Sequence, residues 1–288
     1  MGGAGLADLV EEQNALRYVV RAIPERRAMD IGTYIDDLVG TGRYHFTTGN
    51  AASALGSSPE AVRAAIRRLR AKNRVATPHR GFHVVVPPEY RALGCLPAEQ
   101  FVPYLMQHLG LPYYVGVLSA ASLHGAAHQA PMVFQVVVAD NRPAIRCGRV
   151  KVEFIARGNV AEIPTVQRNT ARGVLLVSAV EATAFDLVGY PGHAGGLSNV
   201  ATILGELVET LDADRLVAEV DHAPLPWAQR LGYLLERVEA VELATRLFDE
   251  VARRVREYVP LRPRKACEGA PRDRRWRLIV NDDVEAEL

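Results

Sequence analysis

Residues 47–72, TTGNAASALGSSPEAVRAAIRRLRAK, decide how the N-terminal part of the chain is built. Two helices separated by a glycine are written into them. TTGNAASAL has Thr47 or Thr48 where an N-cap hydroxyl accepts from an orphan backbone N–H, and Gly56 where a helix closes in the left-handed conformation. SSPEAVRAAIRRLRAK starts with Ser57 and Glu60 at capping-box spacing, and Pro59 falls in the first turn, where a missing N–H costs nothing. Val62, Ile66 and Leu69 recur at i, i+4 and i+7 and give that helix an inward face. Arg63, Arg67 and Arg70 then face outward, with Arg68 beside them.

The next segment, RVATPHRGFHVVV at 74–86, reads as a β-hairpin. Val75 and Thr77 alternate on one strand, Phe82, Val84 and Val86 on the other, and His79-Arg80-Gly81 makes the tip, with glycine at a positive φ. Helix, short turn, helix and basic-tipped hairpin is the order of a winged helix-turn-helix. From Ser58 to Val86 there are seven basic residues against one acid, Glu60, in a chain whose net charge is only +1. Arginines on an exposed helix suit phosphate contacts and bidentate guanine contacts. The first turns of a recognition helix enter the major groove deepest, so base reading is assigned to Ser58, Glu60, Arg63 and Arg67. Arg68, Arg70, Lys72 and the wing tip, His79 and Arg80, are assigned to phosphates, and Thr48 and Ser57 at the adjoining helix ends complete the expected DNA surface. A basic solvated helix in a structural subdomain, or a winged helix used for protein contacts, is the competing reading.

Outward from this stretch, the length of 288 residues suggests two domains. The expected division is a helical extension at 1–27, with a helix over Leu6–Ala22 ended by Pro24; the winged helix at 28–90; and a larger domain at 91–288 beyond a Pro87-Pro88 linker. In that larger part, AEQFVPYLMQHLG and a segment ending HGAAH read as helices, and MVFQVVVA, VKVEFIA and GVLLVS as strands. Helices follow up to RLFDEVARRVREYV, then a last strand in RWRLIV. The fold class expected is α+β: an N-terminal winged helix-turn-helix and a larger mixed α/β C-terminal domain.

Cys95, Cys147 and Cys267 are far apart, which argues against a disulfide framework or a zinc site and suits a reducing cytoplasm. No apolar run approaches the ~20 residues of a membrane span, and the first residues carry no signal-peptide pattern; a cytoplasmic protein without a membrane partner is expected. His124 and His128 have the i, i+4 spacing of metal ligands, but Gly125 interrupts them and no Glu or Cys is near. GYPGHAGGLSNV at 189–200 lacks the Gly-Lys-Ser/Thr ending of a phosphate loop and reads as a helix connection, with Ser198 or Asn199 capping the second helix. Ser178 and Glu181 have capping-box spacing; Ser178, Asp186 and a distant histidine as a triad find no nucleophile-elbow pattern. No catalytic residue, metal or cofactor is expected. LRPRKACEGAPRDRRWRLIV at 261–280 is basic, and Arg262, Arg264, Lys265, Arg274 and Arg275 form a possible second basic surface. A core Trp276 in a strand with solvated neighbours explains the same residues equally well.

With these residues in view, the chain resembles the AbiEi-type antitoxins of bacterial abortive-infection (type IV) toxin–antitoxin systems. The resemblance covers most of residues 30–288. It rests on the winged helix, SAASLHGAAH, GVLLVSAVEATAFDLVGYPGHAGGLSNV, WAQRLGYLLERV and RDRRWRLIVNDDVE, in that order. It implies a repressor of its own operon that binds inverted repeats in double-stranded DNA. It also implies an antitoxin that counters a nucleotidyltransferase-like toxin encoded alongside, with or without a stable complex. Basic patches of both domains would contact DNA. Residues 1–28 fall outside the resemblance. Two alternatives stand beside it: a ligand-sensing winged-helix regulator without a toxin partner, and an enzyme that modifies the toxin covalently.

Overall fold

The computed structural model describes residues 30–126 and 132–286. The helix expected over Leu6–Ala22, the whole 1–27 extension and His128 lie outside them.

The chain opens with helix α1 (Ile31–Gly40), strand β1 (His45–Thr47), helices α2 (Thr48–Leu55) and α3 (Pro59–Ala71), and strands β2 (Val75–His79) and β3 (Phe82–Val85). Asp30 caps α1 by accepting from Gly32 N and Thr33 N. Thr47, not Thr48, caps α2, in a reciprocal capping box with Asn50, and Gly56 ends α2 at φ +57° as expected. The capping box expected from Ser57 and Glu60 does not form. Pro59 takes the first helical position, so the N-cap falls on Ser58, whose hydroxyl accepts from Ala61 N at 3.2 Å, while Ser57 Oγ donates to Leu55 O. Val62, Ile66 and Leu69 are buried, as the periodicity requires.

The three strands form an antiparallel sheet in the order β1-β3-β2, and both of its faces are covered. Adjacent residues of a strand point to opposite faces. Val75 and Val85 join the core under α1, α2 and α3 with Ile35, Phe46 and Ile66. Ala76, Phe82, Val84 and Val86 join a second core built with residues from beyond the Pro87-Pro88 step, among them Leu96, Phe101, Leu105 and Val152.

The larger half carries helix α4 (Ala98–Leu109), strand β4 (Tyr113–Val115), helix α5 (Val117–Leu123) and strands β5 (Phe134–Val138), β6 (Ile145–Cys147), β7 (Val150–Ala156), β8 (Thr165–Thr170) and β9 (Gly173–Ser178). These strands make one six-stranded sheet in the order β6-β7-β5-β4-β9-β8. β5 pairs parallel with β7 and β4 parallel with β9; the β6–β7, β4–β5 and β8–β9 pairs are antiparallel. Val136 and Val138 face the core shared with α4, whereas Tyr114, Val137 and Ile155 face the helices that follow. Burial on both faces explains why Val136–Val137–Val138 is a continuous apolar run rather than an alternating one. The helices are α6 (Val180–Gly189), α7 (Leu197–Leu207), α8 (Ala213–Ala218), α9 (Leu225–Arg237) and α10 (Val241–Arg254). A small sheet of β10 (Val259–Pro260), β11 (Arg272–Asp273) and β12 (Leu278–Ile279) closes the chain.

Three further expectations are corrected. Ser178 does not cap α6, because its hydroxyl is buried between Val115 O and Thr183 Oγ1, and the Glu181 carboxylate accepts from Asp212 N instead. Neither Ser198 nor Asn199 caps α7; the N-cap is Gly196, and Asn199 turns back to Ala194 O at 2.7 Å. RWRLIV is a strand only at Leu278–Ile279, since Trp276 sits in a turn, buried against Phe248 and Gly232, and Arg277 takes φ +51°.

The tip of the β6–β7 hairpin is fastened to the segment before α4. Arg149 N donates to Leu93 O at 2.8 Å, and Gly148, at φ +58°, leaves no room for a side chain: a Cβ there would overlap Leu93 O and approach Gly94 Cα at 2.8 Å. Left-handed backbone costs a non-glycine residue ~1–2 kcal/mol, and the overlap is with backbone that cannot swing away. Gly148→Ala is expected to lose roughly 2–4 kcal/mol of stability, read as a lower urea midpoint at unchanged slope.

Candidate nucleic-acid interface

Helix α3 presents the residues that the sequence assigned to DNA. Ser57, Ser58, Glu60, Arg63, Arg67, Arg68, Arg70 and Lys72 are all exposed. Glu60 and Arg63, both expected to read bases, form an ion pair one turn apart. Arg74 is held by Asp36 of α1 at 3.0 Å. Among the described residues, no carboxylate pairs with Arg67, Arg68, Arg70, Lys72 or Arg80. At the wing tip Arg80 is exposed, and His79 is half-buried with its Nδ1 on Arg80 O.

Thr48 is spoken for inside the fold. Its hydroxyl meets His83 Nε2 at 2.9 Å, and Thr77 Oγ1 meets His83 Nδ1 at 3.0 Å. His83 therefore ties the start of α2 to the hairpin, and sequence reading missed it. Its signal was parity: flanked by Phe82 and Val84, it falls on the strand face turned toward the helices. Arg146 was missed as well. It stands exposed on β6 between buried Ile145 and Cys147, and with Arg67, Arg70 and Thr77 it lines a groove of about 500 Å³ beside α3.

The C-terminal basic segment is different in kind. Arg262 and Lys265 reach Asp282 at 3.4 and 2.5 Å, and Arg275 reaches Glu236 at 2.9 Å. Arg275 also lies over the rings of Phe248 and Trp276. Arg264 and Arg274 are exposed. Much of this segment's charge is thus matched by neighbouring carboxylates, and its tryptophan is core.

The larger half also buries an ionic cluster. Arg157 Nη1 donates to Asp186 Oδ1 at 2.6 Å and to the Tyr114 hydroxyl at 3.2 Å, Nη2 donates to His222 O, and Nε donates to Asn159 Oδ1. Among the described residues, Asp186 bonds Tyr114 and Arg157 and meets no serine or histidine side chain, so Ser178 and Asp186 form no triad there. Burial pushes the Asp186 carboxyl up to about 6 against the pull of Arg157, and burial raises Glu219 as well. Among the described residues, Asp186 Oδ2 and Glu219 Oε1 find no hydrogen-bond partner, which makes the charged forms costly. His124 Nε2 bonds the backbone oxygen of Ser178, and burial depresses its pKa. Among the described residues, no three His, Cys, Asp or Glu side chains group as metal donors.

The same architecture occurs in the crystal structure of the RV2827C protein from Mycobacterium tuberculosis. The two chains are 19% identical and superpose with a TM-score of 0.60 over 85% of this chain and 89% of that one, which is a likeness of fold. None of the curated proteins compared matches the chain. Residues 114–237, from β4 through α9, match the family model of the AbiEi antitoxin C-terminal domain. The chain therefore carries an AbiEi-type antitoxin domain, and the sheet and the Arg157–Asp186 pair lie within it. The likeness to that family supports a role as an antitoxin. No helix among the described residues is long and apolar enough to cross a membrane.

Two consequences can be measured. Burial, reinforced by the Arg70 charge, lowers the His83 pKa to about 4 from an ordinary 6.5. The unfolded chain therefore takes up a proton that the folded chain refuses, and His83 withdraws stability as pH falls from about 6.5 to about 4. His45, lowered to about 4 by burial and by Arg43, acts with the same sign. The wild-type denaturation midpoint is expected to drop across that window, and His83→Gln to flatten the drop. Arg157→Met leaves two buried carboxyls without their cation and is expected to cost roughly 3–5 kcal/mol in urea unfolding.

Proposed function

We propose that residues 28–90 are a winged helix-turn-helix that binds double-stranded DNA, and that the chain is an antitoxin that represses its own operon at inverted repeats. The observation that carries this reading is the arginine face of α3, where Arg67, Arg68 and Arg70 stand exposed above a buried Val62–Ile66–Leu69 stripe and have no carboxylate partner among the described residues. The capped helices, the Gly56 turn and the three-stranded sheet ending in an Arg80-Gly81 turn support the same reading. Arg63 and Arg67 read bases, Arg63 after releasing Glu60, while Arg68, Arg70, Lys72 and Arg80 hold phosphates. Because much of the Arg262–Arg275 charge is matched by Asp282 and Glu236, affinity for DNA rests on α3 first.

The partner of the 91–288 domain is a nucleotidyltransferase-like toxin from the same operon, countered in the cytoplasm without chemistry by this chain. The match of residues 114–237 to the AbiEi antitoxin C-terminal domain supports the antitoxin half of the reading. A ligand-sensing role would call for a closed apolar pocket. The cavity of about 640 Å³ in this half is instead open, and its lining includes Gly192, Gly195, Gly196, Arg262 and Arg264.

Gel shift of the full-length protein on DNA from upstream of its own reading frame tests the DNA half. Arg63→Ala with Arg67→Ala is expected to weaken binding roughly ten- to hundredfold. The slope of log K against log salt should shrink by about 0.9 for each phosphate that the variant no longer neutralises. Unchanged affinity and slope would remove α3 as the recognition helix.

A further inference from the structure

The groove beside α3 has a sulfur in its wall. Cys147, the last residue of β6, lines it together with Arg67, Arg70, Thr77, Gly94 and Arg146. Behind it lies Cys95. The backbones carrying the two cysteines cross at Gly94 and Gly148, where a Cβ on Gly94 would stand 3.1 Å from Gly148 Cα, and Arg149 N closes the crossing on Leu93 O at 2.8 Å. The residues flanking that crossing are held side by side. Both thiols are free, and both belong to the core that joins the two halves.

Their surroundings differ in a way that assigns roles. Cys147 keeps 8% of its surface and reaches the groove, while Cys95 keeps none, so an oxidant from solvent meets Cys147 first. The neighbouring Cys95 thiol, whose effect outweighs burial, together with the Thr77 backbone and the Arg70 charge, lowers the Cys147 pKa. Cys95 is pushed the other way by the Cys147 sulfur and by burial, and it keeps its proton. A groove-lining thiol with a lowered pKa beside a protonated second thiol is the arrangement that lets oxidation stop at a disulfide.

We propose that Cys95 and Cys147 are a hydroperoxide-responsive thiol pair that closes to an intramolecular disulfide at the junction between the α3-bearing half and the antitoxin domain. The Cys147 thiolate attacks the terminal peroxide oxygen. An S–O bond forms, the O–O bond breaks, and the departing hydroxide or alkoxide takes the proton that Cys147 gave up. Cys95 sulfur then attacks the Cys147 sulfenic acid. The S–S bond forms, the S–O bond breaks, and hydroxide leaves with the Cys95 proton as water. The two thiols lose two electrons and the hydroperoxide gains them. Closure alters the wall of the groove that Cys147 shares with Arg67, Arg70 and Arg146, so the event is felt at the edge of the arginine face.

The test uses the full-length protein and hydrogen peroxide. After brief peroxide treatment the chain is denatured, alkylated with N-ethylmaleimide and weighed, and its peptides are mapped. A mass lower by about 2 Da before alkylation is expected, with a 95–147 cross-linked peptide, one alkylated thiol at Cys267, and full reversal by dithiothreitol. Cys95→Ser should stall with a dimedone-trappable sulfenic acid on Cys147, and Cys147→Ser should leave Cys95 reduced. The wild-type mapping stands even if either variant fails to fold. Recovery of Cys95 and Cys147 fully alkylated, oxidation of Cys267 in their place, or cross-links only between chains would overturn the proposal.

Discussion

The guanidinium of Arg157 is the point on which the larger half depends. It leaves the end of β7, enters a space sealed by Tyr114, Trp227 and α6, and there meets Asp186, Glu219 and the His222 carbonyl. One side chain thus binds the sheet to the first helix laid on it and to the short turn that begins the outer helices. Taking these charges out of water is expensive, and an ion pair in such a place seldom adds net stability over a packed apolar core. Its effect is on choice. Any packing of α6 that failed to deliver Asp186 to Arg157 would strand a buried charge, so the pair selects one register of helix on sheet. The matched antitoxin domain spans the elements this cluster draws together.

A second constraint joins the halves. The sheet of the N-terminal half is buried on both faces, and Phe82, Val84 and Val86 are as much part of the core around α4 as of the hairpin that carries them. Polar contacts reinforce the apolar ones. His45 stacks on Tyr104 at 4.0 Å, Arg172 lies over Tyr44 at 3.4 Å from the ring centre, and the Tyr104 hydroxyl donates to Arg172 O. The Pro87-Pro88 step looked like a linker because proline breaks regular structure. In the fold it marks a change of element while the core runs on past it.

What could be read from the chain follows from the range of the interactions involved. The stripe of Val62, Ile66 and Leu69, the left-handed Gly56 and the apolar strands β5, β7 and β9 are local patterns, and they were legible. So was the direction of the arginine face, since an inward stripe defines its opposite. Caps were less so, because Ser57 and Ser58, or Ser198 and Gly196, differ by a residue or two and the choice depends on where neighbouring elements leave room. β8 was not legible: TVQRNT is an exposed edge strand, carries no buried stripe, and is a strand because β9 offers it a ladder. The place of Arg146 beside α3, the bonds of His83 to Thr48 and Thr77, and the approach of Cys95 to Cys147 were out of reach for a related reason. Each depends on segments brought together by the sheet order, and no spacing along the chain encodes that order.

The shared core also bears on how the proposed DNA-binding and antitoxin halves are related. A winged helix on a flexible tether can dock on DNA whatever its companion domain is doing. Here the back of the hairpin is built into the antitoxin half, and Arg146 from β6 stands in the same groove as Arg67 and Arg70. On the proposed reading, α3 cannot turn into the major groove without carrying the six-stranded sheet with it. The antitoxin domain then acts as part of the DNA-bound body, and its bulk sets how closely two copies can approach on an inverted repeat. The reverse holds as well: whatever engages the antitoxin half works on a surface mechanically continuous with α3. Coupling between the two activities needs no separate signalling element, because the core around Phe82, Phe101 and Val152 belongs to both.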